Sequence, residues 1–180
     1  MSYCRGVADA YDHETDREAD AREQRGRCHL SSIPGTATDL LLVFTARSTA
    51  SGGGIADNVR VRFNGATSDT NHSSRWLYGS GSSTGSGTDA FARAGYSNTS
   101  TNTANTFASS EMYLPNYAGS TAKSFSVFAA TETNAAAVDM VVSAGLWNST
   151  SAVTSMRLYT GSGSDLVTGS SFFLYTITKS

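Results

Sequence analysis

The stretch "NVRVRFNG", Asn58 to Gly65, constrains the fold more than any other part of the chain. Val59, Val61 and Phe63 alternate with Arg60 and Arg62, the period of two that a half-buried strand needs. The apolar set is therefore expected to face a core and the arginines to face water. Asn64-Gly65 then supplies a pair that tolerates positive φ, as a tight hairpin turn requires. Similar phrases recur along the chain. "RCHLSSIPG" places Cys28 and Leu30 on one face and stops at Pro34. "DLLLVFTAR" is a continuous apolar run, expected of a strand covered on both faces. "SRWLYG" is short and aromatic. "TFASSEMYLPNY" ends at Pro115, which cannot donate to a ladder. "KSFSVFAA" follows, and in "VDMVVSAGLW" Val138, Met140, Val142 and Ala144 alternate. "TSMRLYTG" puts Met156 and Leu158 on one face, and "SSFFLYTIT" closes the chain. About eight or nine strands with no convincing helix predict an all-β fold. Over residues 27–180 the expectation is an antiparallel β-sandwich of jelly-roll type.

The segments between these strands are bland. Ser and Thr make up roughly a quarter of the chain, well above ordinary usage. The runs between Tyr78 and Asp89 and between Tyr96 and Thr106 read as loops outside the core, the Gly-Ser run as a flexible one. Only 16 % of the 180 residues are charged and the net charge is −2, which gives no basic field for nucleic acid. No apolar run approaches a membrane span. The start "MSYCRGVADAYDHETD" lacks the apolar core of a signal peptide, so folding in a cytosol is expected. Cys4 and Cys28 are too few for a disulfide framework and read as reduced thiols, since a bridge between them would need an oxidising setting.

Charge is concentrated at the start. Residues 1–27 hold Asp9, Asp12, Glu14, Asp16, Glu18, Asp20 and Glu23 against Arg5, Arg17, Arg22, Arg25 and Arg27, and so carry the whole net charge. Pairs such as Glu18–Arg22 support a helix, but Ala and a lone Tyr11 offer no apolar stripe. Residues 1–26 therefore read as a short charged N-terminal arm. It is either solvated or ordered only on docking to a partner through residues such as Tyr11, Arg17, Arg22 and Arg25.

Several phrases, taken in order, carry a resemblance: "SSIPGTATDLLLVFTAR", "NVRVRFNG", "WLYGSGSS", "LPNYA", "GLWNSTSAVTSMRLY" and "GSSFFLYTI". The ensemble, spanning about Gly26 to Ser180, resembles a family of tailed-bacteriophage virion structural proteins. Members of that family carry "RVRFNGD", "IPNYAN", "GLWRSTAAI" and a terminal "FTLYGIK". The resemblance implies a virion surface protein without catalysis, made in the host bacterial cytoplasm and displayed as a homotrimer. As capsid decoration, cement or head fibre, it would dock on the major capsid protein through residues 1–26. As a tail or neck fibre, its sandwich would meet a host surface glycan. Two departures stand out: the chain ends "LYTITKS", and its first 26 residues do not match the short apolar start usual in the family. Each phrase also has a structural reading. Pro115 stops a strand, Tyr117 offers a ring for packing, and Gly145 permits a close approach or a bulge beside Leu146 and Trp147.

No catalytic, metal-binding or cofactor-binding set is expected. His72 lies near Asp69 and several serines, but no Gly-x-Ser-x-Gly elbow precedes a helix, and a histidine in a polar surface loop is the simpler reading. Cys4, His13, Cys28 and His29 match no zinc-finger spacing. No close acidic pair in an aromatic setting suggests glycoside cleavage, and no Asp-rich calcium loop is present. Trp76 and Tyr78 could stack on a sugar ring. Lying two apart on one strand face, they could equally pack inward.

Overall fold

The computed structural model describes residues 3–9, 26–52, 54–134 and 138–179, with the backbone alone described over 3–9. Among the described residues, twelve strands and no helix form two sheets. The larger sheet runs, side by side, β1 (Tyr3–Asp9), β12 (Ser171–Ile177), β3 (Asp39–Ala46), β8 (Ala108–Leu114), β9 (Lys123–Glu132), β10 (Val138–Trp147), β5 (His72–Gly79) and β6 (Thr84–Asp89). The smaller sheet runs β2 (Arg27–Leu30), β11 (Met156–Thr160), β4 (Ala56–Phe63) and β7 (Ala92–Asn98). Every pairing is antiparallel except that of β1 with β12. The protein is an all-β sandwich.

Alternation builds the core. Val59, Val61 and Phe63 of β4 are buried, as are Met156 and Leu158 of β11, Phe172 and Leu174 of β12, and Leu40, Leu42 and Phe44 of β3. Phe44 stacks on its cross-strand partner Phe172 within the larger sheet, with centroids 4.9 Å apart, and Phe63 of the smaller sheet meets Trp147 of the larger at 5.2 Å, a ring contact that joins the two sheets. Pro115 ends β8 as expected. Beyond it Tyr117 is fully buried and its hydroxyl donates to the carbonyl of Pro34. Gly145 is a close approach: a Cβ there would lie 2.0 Å from the ring of Phe125, its cross-strand partner on β9.

The structure revises several expectations. Asn64 and Gly65 do adopt positive φ, but the turn does not close a hairpin. β4 pairs with β11 and β7 while β5 pairs with β10 and β6, so the chain crosses between sheets here. Asn64 also pins the far loop: its Nδ2 donates to the Ala152 carbonyl and its Oδ1 accepts from the Thr154 amide. The Gly-Ser run is not all loop, because Thr84–Asp89 adds β6 beside β5. Ala92–Asn98 is a further strand, buried along its whole length. β3 is fully covered on one face only; Leu41 and Val43 on the other are half-buried.

The 1–26 arm is not uniformly separate from the sandwich. Tyr3–Asp9 extends the larger sheet, its backbone laddered to β12 from Tyr3↔Ser171 to Asp9↔Thr176. Tyr11, Arg17, Arg22 and Arg25 lie outside the described residues. Cys28 is not a reduced thiol: it is buried and disulfide-bonded. β1 adjoins β2, which brings the strand containing Cys4, the only other cysteine, next to that of Cys28.

Candidate functional site

The aromatic pair on β5 faces inward. Trp76 and Tyr78 are half-buried and pack against a small cluster of Tyr96, Ala108, Ala129 and Val141. Their cross-strand partners on β6 are Gly87 and Gly85. A Cβ at either glycine would lie 2.4 Å from the facing ring, so the rings fill the space that the glycines leave. This is how a Gly-rich edge strand gains a packing surface. The rings pack into the sandwich, each half-buried.

His72 is the first residue of β5 and not part of a polar loop. It is buried, stacked against Phe63 and Trp147 at 5.8 and 6.3 Å, with neither ring nitrogen hydrogen-bonded. Burial pushes its pKa below the ordinary value, with Asp69 opposing and Arg62 adding to the shift. The Asp69 carboxylate makes its hydrogen bonds elsewhere. Its Oδ1 accepts from Arg62 Nε at 2.6 Å and from the Tyr159 hydroxyl at 2.8 Å, and its Oδ2 accepts from Arg62 Nη2 at 3.1 Å. Burial works against the Asp69 charge, but these bonds outweigh it and hold the carboxyl below its usual range. An imidazole enclosed between Phe63 and Trp147 with no hydroxyl or carboxylate bonded to it is out of hydrogen-bond reach of a serine in solvent. His29 is exposed on β2 beside buried Cys28, and among the described residues no group of three or more His, Cys, Asp or Glu could hold a metal.

The unusual surface lies on the solvent side of the larger sheet. Periodicity marks Met140, Val142 and Ala144 as one face of β10, and that face points outward; Val141, Ser143 and Trp147 point inward. Leu77 is 64 % exposed, Val142 56 %, Met140 48 % and Phe128 41 %. Leu77, Val142, Phe128 and Glu111 are directly opposite one another across β5, β10, β9 and β8, forming one row. The next row is Arg75, Ala144, Ser126 and Tyr113. Leu146 lies beyond it, between Ser73 and Ser124. The strip is thus apolar in its centre, with Arg75 on the β5 flank and Glu111 on the β8 flank, three strand spacings or about 14 Å away. A shallow depression of about 440 Å³ runs along its β5 side, between Arg75, Leu77, Val142 and Ala144 and the Ser86 and Thr88 of β6.

Sequence reasoning missed this strip because both faces of β10 carry apolar residues. The available signal was "GLW": Trp147 must be enclosed, which sends Leu146 and, by alternation, Ala144, Val142 and Met140 outward. No protein-family model, curated protein or solved structure matches the chain.

Proposed function

We propose that this chain is a non-enzymatic surface protein of a tailed-phage virion, a capsid decoration, cement or head-fibre protein docked through its N-terminal arm. We propose further that it works as a homotrimer. The ordered set of phrases from "SSIPG" to "FFLYTI" supports the virion reading, and the all-β sandwich agrees with it. A jelly roll is part of the same proposal. With β5–β6 and β9–β10 set aside as inserted hairpins, the sheets read β1-β12-β3-β8 and β2-β11-β4-β7, an arrangement of two facing four-stranded sheets suited to two Greek keys. The parallel β1–β12 pair is a departure from that pattern.

The observation that carries the assembly claim is the exposed strip Leu77–Val142–Phe128 with opposite charges on its flanks. A row of large apolar side chains directly abreast is unusual on a surface that stays in water. Its occupant is a second copy of this chain. Arg75 on one flank and Glu111 on the other let one subunit's cation meet the next subunit's anion, a contact that closes into a ring. The chain's own residues 10–25 do not suit the strip: they hold one large apolar residue, Tyr11, and they leave β1 and return to β2. The strip lies toward the opposite end of the larger sheet from β1.

Sedimentation of the full chain tests this. Trimer is expected for the wild type, and weakened association for Arg75→Glu and for Glu111→Arg, with recovery when the two are combined. A wild type that is monomeric at tens of micromolar, or single variants that assemble normally, overturns it. Antibody labelling of intact particles tests the virion assignment itself. Labelled capsids support decoration, labelled tails or necks support the fibre reading, and unlabelled particles remove both.

A further inference from the structure

The solvent face of the smaller sheet is built from two rows of directly opposed residues: Arg27, Tyr159 and Arg60, then His29, Arg157 and Arg62. Four arginines share this face in a chain whose net charge is −2. Arg157 stands directly opposite Arg62, a like-charge pairing that weakens a sheet. Asp69 and the Thr67 carbonyl occupy the guanidinium of Arg62. Among the described residues Arg60 and Arg157 have no such partner, and the Nε of each is buried and without a hydrogen bond.

These two guanidiniums are also held in place. Arg60 lies over the Phe91 ring at 3.8 Å, and Arg157 over Tyr159 at 5.6 Å. Tyr159 is itself fixed by its hydrogen bond to Asp69. Arg60 and Arg157 are diagonal neighbours across β4 and β11, about 7–8 Å apart and somewhat less at their Cβ atoms, within reach of one ligand. Planar donors restrained by aromatic rings, with no acceptor bonded to them among the described residues and only the Asp69 charge near Arg60, are pre-organised for carboxylate or phosphate oxygens.

The geometry points to an oxyanion site on this face, in which Arg60 and Arg157 take a carboxylate or phosphate group of an anionic ligand and Arg27 supplies further positive field at its rim. The site does not depend on the virion reading. Nucleic acid is the less suitable carrier, because the Phe91 and Tyr159 faces lie under guanidiniums and leave no platform for base stacking.

Titration calorimetry of the full chain with inorganic phosphate, polygalacturonate and polyphosphate, and with neutral pullulan as control, tests the proposal. Binding of the anions but not of pullulan is expected, at least tenfold weaker for Arg60→Gln/Arg157→Gln. Lys179→Gln, exposed beyond the end of β12 on the other sheet, should bind as the wild type does. The log–log salt dependence of the polymer affinity should become shallower by about two in the double variant. Preference for polygalacturonate identifies carboxylate as the native group, and preference for polyphosphate identifies phosphate. Absence of binding at millimolar phosphate and with both polymers overturns the site. So does a double variant, shown folded by circular dichroism, that binds within twofold of the wild type.

Discussion

The two outer faces of the sandwich are opposites. On the larger sheet, Leu77, Val142 and Phe128 stand abreast with charge only at the flanks. On the smaller sheet, arginines stand abreast with one carboxylate, Asp69, bonded among them. Both arrangements cost an isolated subunit something: the first keeps apolar area in water, the second sets like charges side by side. They differ in what relieves the cost. Another apolar surface relieves the first, and an anion relieves the second. The proposed assembly surface and the proposed ligand surface are thereby separated by the thickness of the core.

The sharpest way to break that comparison is Val142→Asp. Association should weaken at least hundredfold, about 3 kcal/mol, because a carboxylate would be enclosed against a neighbour's apolar row. Sedimentation equilibrium reads the effect, while thermal unfolding of the dissociated subunit should change little, since Val142 makes its contacts outside the core. A variant that assembles as the wild type does removes the strip from the interface. Next comes Gly145→Ala, on the inner face of β10 behind the strip. The added methyl collides with the Phe125 ring, and a loss of about 1–3 kcal/mol is expected from denaturant unfolding. A neutral result would show that Phe125 moves aside easily and that the strip rests on a compliant layer.

Acid sharpens the comparison from inside. His72 has its folded pKa below the ordinary 6.5, so the folded state resists taking a proton. The stability it contributes is whole above about pH 6.5 and is lost as the pH falls through its folded value. Asp39 and Asp69, held below the usual 3.8 by their hydrogen bonds despite burial, withdraw their share only at lower pH. Asp139, raised by burial, acts in the opposite direction over the carboxylate range. Urea midpoints should therefore fall from about pH 7.5 to about pH 5, and His72→Phe should flatten that slope. The smallest expected effect has the opposite sign. Arg157→Thr removes the charge facing Arg62 and should raise stability by about 0.2–1 kcal/mol in thermal melts, leaving assembly untouched. Destabilisation instead would show that stacking on Tyr159 outweighs repulsion.

Much of this was legible in the sequence where residues alternate and large side chains mark one face. "NVRVRF", "SMRLY" and "SSFFLY" each announce an inward set, and those sets are buried. Legibility failed where side chains are small. β6 reads "TGSGTD" and has no pattern of its own; it is a strand because Trp76 and Tyr78 of β5 lie over its glycines. β7 reads "ARAGYSN" and is buried on both faces, so it shows no alternation either. The arginine face was visible as outward positions on β4. Its crowding was not, because Arg62 and Arg157 are distant in sequence and meet only through the register of β4 with β11.

The glycines of β6 have a last consequence. Among the described residues this strand is the last of the larger sheet, where unpaired amides could recruit a stray extended chain. Gly85 and Gly87 alternate there with Thr84, Ser86 and Thr88, giving an incoming strand almost no hydrophobic reward for zippering onto it. Packed at high local density, neighbouring copies should therefore resist fusing edge to edge into fibrils, and their contacts are left to the broad faces.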